Sequence, residues 1–412
     1  MNTAAGATGS APTPGAQPVA PLSFTPSGRG TLGLEWELFV TDAATGGLAP
    51  RASDLLDAVG AVPDGPIVGE YLTTMVELVS GVHATVEDAV GELAGHLRRL
   101  SEAAHARGLA VLAAGTHPFA TASDAPVKRS EQYDVVAERN AWWGRQMLIC
   151  GVHVHVGVPD RDWALPLTHF LAERAPILLA LSASSPFFAG EDTGFASQRT
   201  MLFQQLPTNG LPPAVHDWPA FERYAADLQR AGMVRRATEI RWDVRPAPRF
   251  GTVEVRVADA TPTLDELACV GAWAQCLTEW FYRQLDAGAR TEPLAPWFVR
   301  ENKWRAARYG LDAAVIPAGP GEPVALRDEI GRWLGDLAPV AAELGCTDAL
   351  AVTTRLLASG TSAERQRARA ASGADLATLT RALVAETAAS LRTHFPAALR
   401  TGDPAGALDA SR

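Results

Sequence analysis

Cys150-Gly151-Val152-His153-Val154-His155-Val156-Gly157 alternates apolar and imidazole side chains with a period of two. In a strand this places Val152, Val154 and Val156 on one face and His153 and His155 on the other. The same pattern recurs in Thr31-Leu32-Gly33-Leu34-Glu35-Trp36-Glu37-Leu38, where Glu35 and Glu37 share a face, and in Thr252 to Val257, where Val253, Val255 and Val257 back Glu254 and Arg256. Three strands thus each offer a polar pair at i, i+2. A sheet with one face on a core and the other lined by carboxylates, imidazoles and a guanidinium is a candidate metal and anion site.

Working outward, residues 1 to 28 consist mostly of Ala, Gly, Pro, Ser and Thr, and this composition reads as a disordered leader. After the first strand, Thr41 to Gly47 is a polar turn of the kind that closes a hairpin. Tyr71 to Val79 reads as a strand carrying Glu77. Thr85 to Gly108 bears the apolar stripe of an amphipathic helix, with Val86, Ala89, Val90, Leu93, Leu97 and Leu100 at i, i+3, i+4 spacing. Val111 to Ala114 is a short strand, Asp134 to Leu148 a helix, Leu165 to Leu181 a second long helix, and Leu264 to Leu285 a third. Arg241 to Val257 forms a hairpin. Beyond about 310 the chain is alanine-rich and helical, and 396–412 reads as a frayed tail. Hairpins alternating with long helices, without regular strand-helix-strand units, point to an α+β fold, and 29–395 is taken as one catalytic domain.

Hydrophobic residues make up 47% and charged residues 20% of the 412, and no uninterrupted apolar run approaches the roughly 18 residues of a membrane span. A net charge of −10 argues against a nucleic-acid partner, which would require basic patches. No signal-peptide pattern opens the sequence, and Cys150, Cys269, Cys276 and Cys346 form no CxxC pair, which fits a reducing cytoplasm. Oligomeric state, including a homo-oligomer, is left open.

Glu35 and Glu37 suit a hard cation such as Mg²⁺, which takes carboxylate oxygens. Standing alone, they would sooner read as a solvated sheet face, while hydrogen bonds would account for His153 and His155 and an ion pair for Glu254 and Arg256. Together the three strands collect three glutamates, two histidines and an arginine on one face, and Glu77 adds a carboxylate. Such charge density calls for metal ions. A guanidinium beside them suits a phosphoryl ligand. No Walker-type loop or protein-kinase signature is present, so a nucleotide would be held through metals and a basic cluster. Asn302, Lys303, Arg305 and Arg308 offer such a cluster, unless they form the exposed face of a helix. A zinc hydrolase using His153, His155 and a glutamate is the rival from another class.

The chain resembles the glutamate–cysteine ligase type 2 family, carboxylate–amine ligases with a glutamine-synthetase-like catalytic core. The resemblance rests on Gly33-Leu34-Glu35-Trp36-Glu37, Cys150 to Pro159, Ser185 to Gly194, Leu206-Pro207-Thr208-Asn209-Gly210, Trp242-Asp243-Val244-Arg245-Pro246, Gly251 to Arg256 and Glu301 to Gly310. It implies a curved antiparallel β-sheet with helices on its outer face, ATP and two or more Mg²⁺ ions as cofactors, and ligation of glutamate to cysteine or another amine through an acyl phosphate. It further implies that Glu35, Glu37, Glu77, His153 and Glu254 ligate Mg²⁺, with His155 as a further ligand or just behind the metal, and that Arg256 steadies the transferring phosphoryl group. Arg199, Arg241 and Arg245 are the candidates for a substrate carboxylate. One departure from the family stands out: Trp36 separates two glutamates where the family's first motif often has consecutive acidic residues. A different carboxylate and amine pair is the alternative within the class.

Overall fold

The computed structural model describes residues 22–129, 131–289, 293–317 and 321–394. The expected frayed tail at 396–412 lies outside these, as does most of the expected leader.

β1 (Leu32–Asp42) is the hub of the sheet. Its alternation sends Leu34, Trp36 and Leu38 into the core, each essentially inaccessible to water, and turns Glu35 and Glu37 the other way. After the short helix α1 (Ala52–Ala58) come β2 (Ile67–Gly69) and β3 (Met75–Val79), antiparallel to one another. The expected strand over Tyr71 to Val79 therefore begins only at Met75. Residues 70–74 instead turn the chain, closed by Met75 N–H donating to Leu72 O, and Ile67–Gly69 pairs with β3 as a strand of its own. The expected hairpin through Thr41 to Gly47 closes on one bridge, Thr41 to Leu48, because β1 spends its pairing capacity on β3, β4 (Leu109–Leu112) and β5 (Gly151–Gly157).

Between β3 and β4 runs α2 (Val86–His105), capped by Thr85, whose side chain accepts from Asp88 N–H. α3 (Glu131–Arg145) leads toward β5 and is kinked at Ala141, which has φ 48°. α4 (Ala164–Ser182) follows. Arg161–Ser182 is long and apolar enough to cross a membrane, yet 78% of its apolar window is buried, so it serves here as a core helix. Next come the two-residue ladder of β6 (Phe187–Phe188) and β7 (Glu191–Asp192), then α5 (Gln198–Phe203), β8 (Asn209–Gly210), α6 (Trp218–Arg230) and β9 (Arg241–Trp242), which pairs parallel with β8. The expected hairpin forms between β10 (Val244–Ala247) and β11 (Thr252–Asp259). The resulting order is β10-β11-β5-β1-β3-β2, with β4 also on β1, and every pairing is antiparallel.

α7 (Leu264–Asp286) crosses behind the sheet, where Gly271 packs against the side chains of Leu34, Val86 and Leu32. α8 (Pro296–Tyr309), the β12 (Ala314–Val315) and β13 (Val324–Ala325) pair, and helices α9 (Leu326–Leu344), α10 (Thr347–Ser359), α11 (Ser362–Ala371) and α12 (Leu376–His394) complete the described chain. One apolar cluster runs from Leu32 through Trp273 to Leu383, joining the back of the sheet to the C-terminal helices. Trp36 is its largest strand residue at 0% exposure, and truncating it to alanine would cost about 3–5 kcal/mol.

The last residues of the expected leader are docked on the sheet and α6. Thr25 N–H donates to Pro248 O and Ser27 N–H to Val158 O, each at 3.1 Å, and the Phe24 ring stands edge-on to Trp218 at 5.3 Å. One aromatic and a few backbone bonds to ordered strands suffice to dock a segment otherwise poor in apolar residues.

Candidate active site

The register across the sheet builds the site. Glu35 faces His153, Glu37 faces Glu77, His155 faces Glu254, and Glu254 faces Arg245. Each pairing depends on the two-residue pleat, so a slip of one residue in any strand would bury these charges among the valines.

Side-chain bonds tie the row together. His153 Nδ1 lies 2.7 Å from Glu35 Oε2 and His155 Nε2 lies 3.2 Å from Glu35 Oε1. His155 Nδ1 meets Thr252 Oγ1 at 2.8 Å. Gly151 N–H donates to Glu37 Oε2 at 2.6 Å. Glu254, 1% exposed, accepts from Arg245 Nε at 2.7 Å and from the Arg256 guanidinium.

The electrostatics divide the face in two. Burial pushes the Glu35 carboxyl up, but hydrogen bonds from His153 and His155 outweigh it and hold it well below the ordinary range. Burial acts in the same way on Glu254 and is overcome by Arg245, Arg256 and His155, so that carboxyl too is held low. Burial lowers His155, while Glu254 and Glu35 more than restore it and leave it raised. On the other side, burial, with the charges of Glu70, Glu35 and Glu37, drives Glu77 well above the ordinary range. Burial and Glu37 raise Glu70 to about 7. This half of the face carries more negative charge than the surrounding protein neutralises.

The donor set fits a hard divalent cation. A carboxylate on Nδ1 of His153 accepts that nitrogen's proton in a hydrogen bond, and in the neutral ring this leaves Nε2 with a bare lone pair. That Nε2 is buried with no hydrogen-bond partner and sits 3.9 Å from Glu37 Oε1, an arrangement of two electron-rich atoms that invites a cation between them. Glu37, Glu77 and His153 form one group with ligand atoms within 4.8 Å of one another, and Glu35, His153 and Glu254 form another. His155 stands in neither group, and its nitrogens lie against Thr252 Oγ1 and Glu35 Oε1.

A cavity of about 290 Å³ opens over this face, lined by Glu35, Glu37, Glu77, His153, Arg199, Arg241, Arg245 and Arg256. Glu254 lies beneath it. Glu70 also lines it, a residue that sequence periodicity does not reveal because it follows the three-residue strand β2. Of the three arginines expected to hold a substrate carboxylate, Arg245 is committed to Glu254 and to Thr238 O and Ile240 O, the two carbonyls at 2.9 Å each. Arg241 faces the cavity near Glu70. Arg199 is 2% exposed against Gly151.

The α8 cluster is not brought to this cavity, contrary to the expectation from its basic composition. Lys303 is buried, with Nζ 2.6 Å from Asp243 Oδ2. Asn302 is buried too, donating to Ile316 O at 2.8 Å and accepting from Ile316 N–H at 2.7 Å. Arg305 bonds Glu301 at 2.7 Å and Ala314 O at 3.2 Å, and Arg308 donates to Gly194 O. The helix turns these groups onto neighbouring backbone and carboxylates, where they fasten α8 to the loop before α5 and to β12.

Known proteins resemble the chain over nearly its whole length. A protein of Leifsonia xyli subsp. xyli, provisionally named glutamate–cysteine ligase 2, is 47% identical over 351 residues, 84% of this chain and 93% of the relative. One from Rhodococcus jostii with the same provisional designation, numbered 2-2, is 46% identical over 369 residues, 89% of this chain and 99% of that one. Among solved structures, the glutamate–cysteine ligase of Francisella tularensis in complex with AMP superposes with a TM-score of 0.65 at 15% identity, covering 92% of this chain and 91% of that one. At that identity the likeness establishes the α+β fold of one antiparallel sheet backed by helices. The sequence profile of glutamate-cysteine ligase family 2 (GCS2) matches residues 31–391, and the chain belongs to that family.

Proposed function

We propose that this chain is an ATP-dependent carboxylate–amine ligase that joins glutamate to cysteine through γ-glutamyl phosphate. The observation that supports it most is the convergence of Glu35, Glu37, Glu77 and Glu254 around His153, whose Nε2 lacks a partner, with Arg256 on the same face. Mg²⁺ held by these residues, two or more ions, would screen and orient the phosphates of ATP. Arg256, held by Glu254, keeps its charge whatever the solvent pH and meets negative charge as the γ-phosphoryl group passes to the glutamate side chain. In that transfer the bond from phosphorus to the ADP oxygen breaks as a bond to the carboxylate oxygen forms. The amine nitrogen next attacks the acyl carbon, orthophosphate leaves, and the nitrogen loses a proton. Arg241, on the cavity wall, is the arginine best placed to hold a substrate carboxylate.

A zinc hydrolase is disfavoured by the donor set, in which each group has one imidazole among carboxylates and His155 is engaged at both nitrogens. All four cysteines are buried free thiols, in keeping with a reducing compartment such as the cytoplasm. The test is ADP release from Mg-ATP with L-glutamate, with and without L-cysteine, beside a Glu37→Gln control. Cysteine-dependent release that the control loses supports the reading. Release stimulated by another amine but not by cysteine replaces the substrate pair, and no nucleotide binding at all overturns the ligase assignment.

A further inference from the structure

Two buried thiols meet behind the sheet. Cys276 sits on α7 and Cys346 in the turn between α9 and α10, 70 residues further on, and their Sγ atoms are 3.4 Å apart. Both are free. Closing that contact to a covalent bond asks for a movement of about 1.4 Å, which side-chain rotation and a slight helix shift can supply. Cys269, two turns earlier on the same helix, lies instead against Thr353 Oγ1 at 3.3 Å.

The two sulfurs are not alike. Cys276 is wholly inaccessible, whereas Cys346 is 3% exposed and stands between two exposed residues, Gly345 and Thr347, in a turn at the surface. Cys346 also opens α10, and the N-terminus of a helix favours a thiolate. The hydrogen bond from Cys276 acts in the same sense and, against burial, holds the Cys346 thiol below its ordinary range. That bond and burial together push the Cys276 thiol far above it. An attacking sulfur at a surface turn with a resolving sulfur directly behind it is what a thiol oxidation site requires.

We propose that Cys276 and Cys346 are a modification site at which a hydroperoxide closes a reversible disulfide, stapling α7 to the turn between α9 and α10. The Cys346 thiolate attacks one peroxide oxygen, the O–O bond breaks, and the departing hydroxide takes up the proton that the thiol gave up, leaving water and a sulfenic acid. The Cys276 sulfur then attacks the sulfenic sulfur, the hydroxyl leaves with the Cys276 proton as a second water, and the S–S bond forms. Two thiols together lose two electrons, and one hydrogen peroxide gains them. A dithiol reverses the bond by exchange.

The staple acts on the frame behind the charged face. Gln275, next to Cys276, donates to Gly30 O at 2.7 Å and to Ala84 O at 2.9 Å, and Tyr282 OH donates to Gly157 O at 2.8 Å. α7 thus grips the start of β1 and the end of β5. Closing a loop of 70 residues in the unfolded chain should raise the melting temperature by about 5 °C. Neither cysteine lines the cavity over the sheet, so the inference is independent of the ligase reading.

The test exposes the reduced full chain to hydrogen peroxide, blocks the remaining thiols with N-ethylmaleimide and weighs the products. Wild type loses about 2 Da, two of its four thiols escape the maleimide, and digestion without reductant yields one linked pair of peptides carrying Cys276 and Cys346. The melting temperature rises by the amount given above, and dithiothreitol returns it. Cys276→Ser is labelled at Cys346 by dimedone, which traps sulfenic acid, and Cys269→Ser behaves as wild type. Four thiols still open to maleimide after peroxide, a linkage through Cys150 or Cys269, or a disulfide that leaves the melting temperature unmoved would each overturn the proposal. Should Cys276→Ser fail to fold, a disulfide formed within Cys346→Ser overturns it equally.

Discussion

His153 and Glu35 meet across β5 and β1 with Nδ1 2.7 Å from Oε2, and that bond fixes which imidazole nitrogen is free to bind a cation. If Nε2 is a ligand, His153→Ala weakens Mg²⁺ by about 10- to 100-fold, and Glu35→Gln, which disturbs the orienting partner, has an effect of the same order. Calorimetric titration of Mg²⁺ with ADP present measures both. Chelation by EDTA should abolish ADP release, and added Mg²⁺ should restore it. Equal Mg²⁺ affinity in wild type and His153→Ala would remove the metal role from this histidine.

Gly151→Ala places a Cβ 2.6 Å from Arg199 Cζ, so the guanidinium must move. The expected cost is about 1–3 kcal/mol in stability, typical of overpacking. Activity should fall further than stability explains, because the displaced cation faces the cavity. Thermal melts and kcat measured on the same preparation separate the two effects.

Glu254→Gln removes the carboxylate that balances Arg245 and Arg256. Leaving two buried guanidiniums on a neutral amide should destabilise the fold by about 3–5 kcal/mol. Urea unfolding measures this, and a loss below about 1 kcal/mol would mean that solvent already screens the pair.

His117 predicts a pH dependence remote from the cavity. Its Nε2 donates to Gly46 O at 2.8 Å and its Nδ1 accepts from Ala120 N–H at 3.1 Å, so both nitrogens are satisfied in the neutral ring. Burial lowers its pKa from 6.5 to about 4. Between those values the unfolded chain binds the proton and the folded chain does not, so stability rises with pH across the window. The stabilisation is complete above about 6.5 and falls by about 3 kcal/mol on acidification to about 4. His117→Gln should flatten that slope relative to wild type in urea melts taken from pH 4 to 7. An unchanged slope would assign it to other groups.

Arg305 tests the reassignment of α8. With its guanidinium on Glu301 and Ala314 O, Arg305→Ala should leave KM for ATP within about twofold. A tenfold rise would return the helix to the nucleotide.

The charged face of the sheet was legible wherever strict alternation held. In β1, β5 and β11 the valine and leucine positions dictate the opposite face, so Glu35, Glu37, His153, His155, Glu254 and Arg256 follow from the pleat alone. Glu77 was legible too, as the polar member of an apolar run. Glu70 escaped because a three-residue strand has no period to read. The α8 residues misled because composition says nothing about direction: Asn302 and Lys303 are adjacent on a helix, yet both are buried, one against Ile316 and the other against Asp243. Nor does sequence reveal that Arg199 reaches the cavity, since that depends on Gly151 having no side chain 48 residues earlier and on Asp259 lying 60 residues later.

The register of β1 also governs the timing of folding. Glu35 finds its imidazole partners 118 and 120 residues further along the chain, and Glu37 its backbone donor 114 residues on. A nascent chain therefore emerges with its carboxylate strand unneutralised, and the central ladder closes only after more than a third of the sequence has been made. Closing such long loops is slow because entropy must be lost before any contact compensates. Refolding from urea should accordingly be sluggish in the absence of divalent cation and hastened by it, as the ion stands in for the partners that arrive late. Stopped-flow tryptophan fluorescence with and without Mg²⁺ would follow this directly, and identical rates would place metal capture after the ladder has closed.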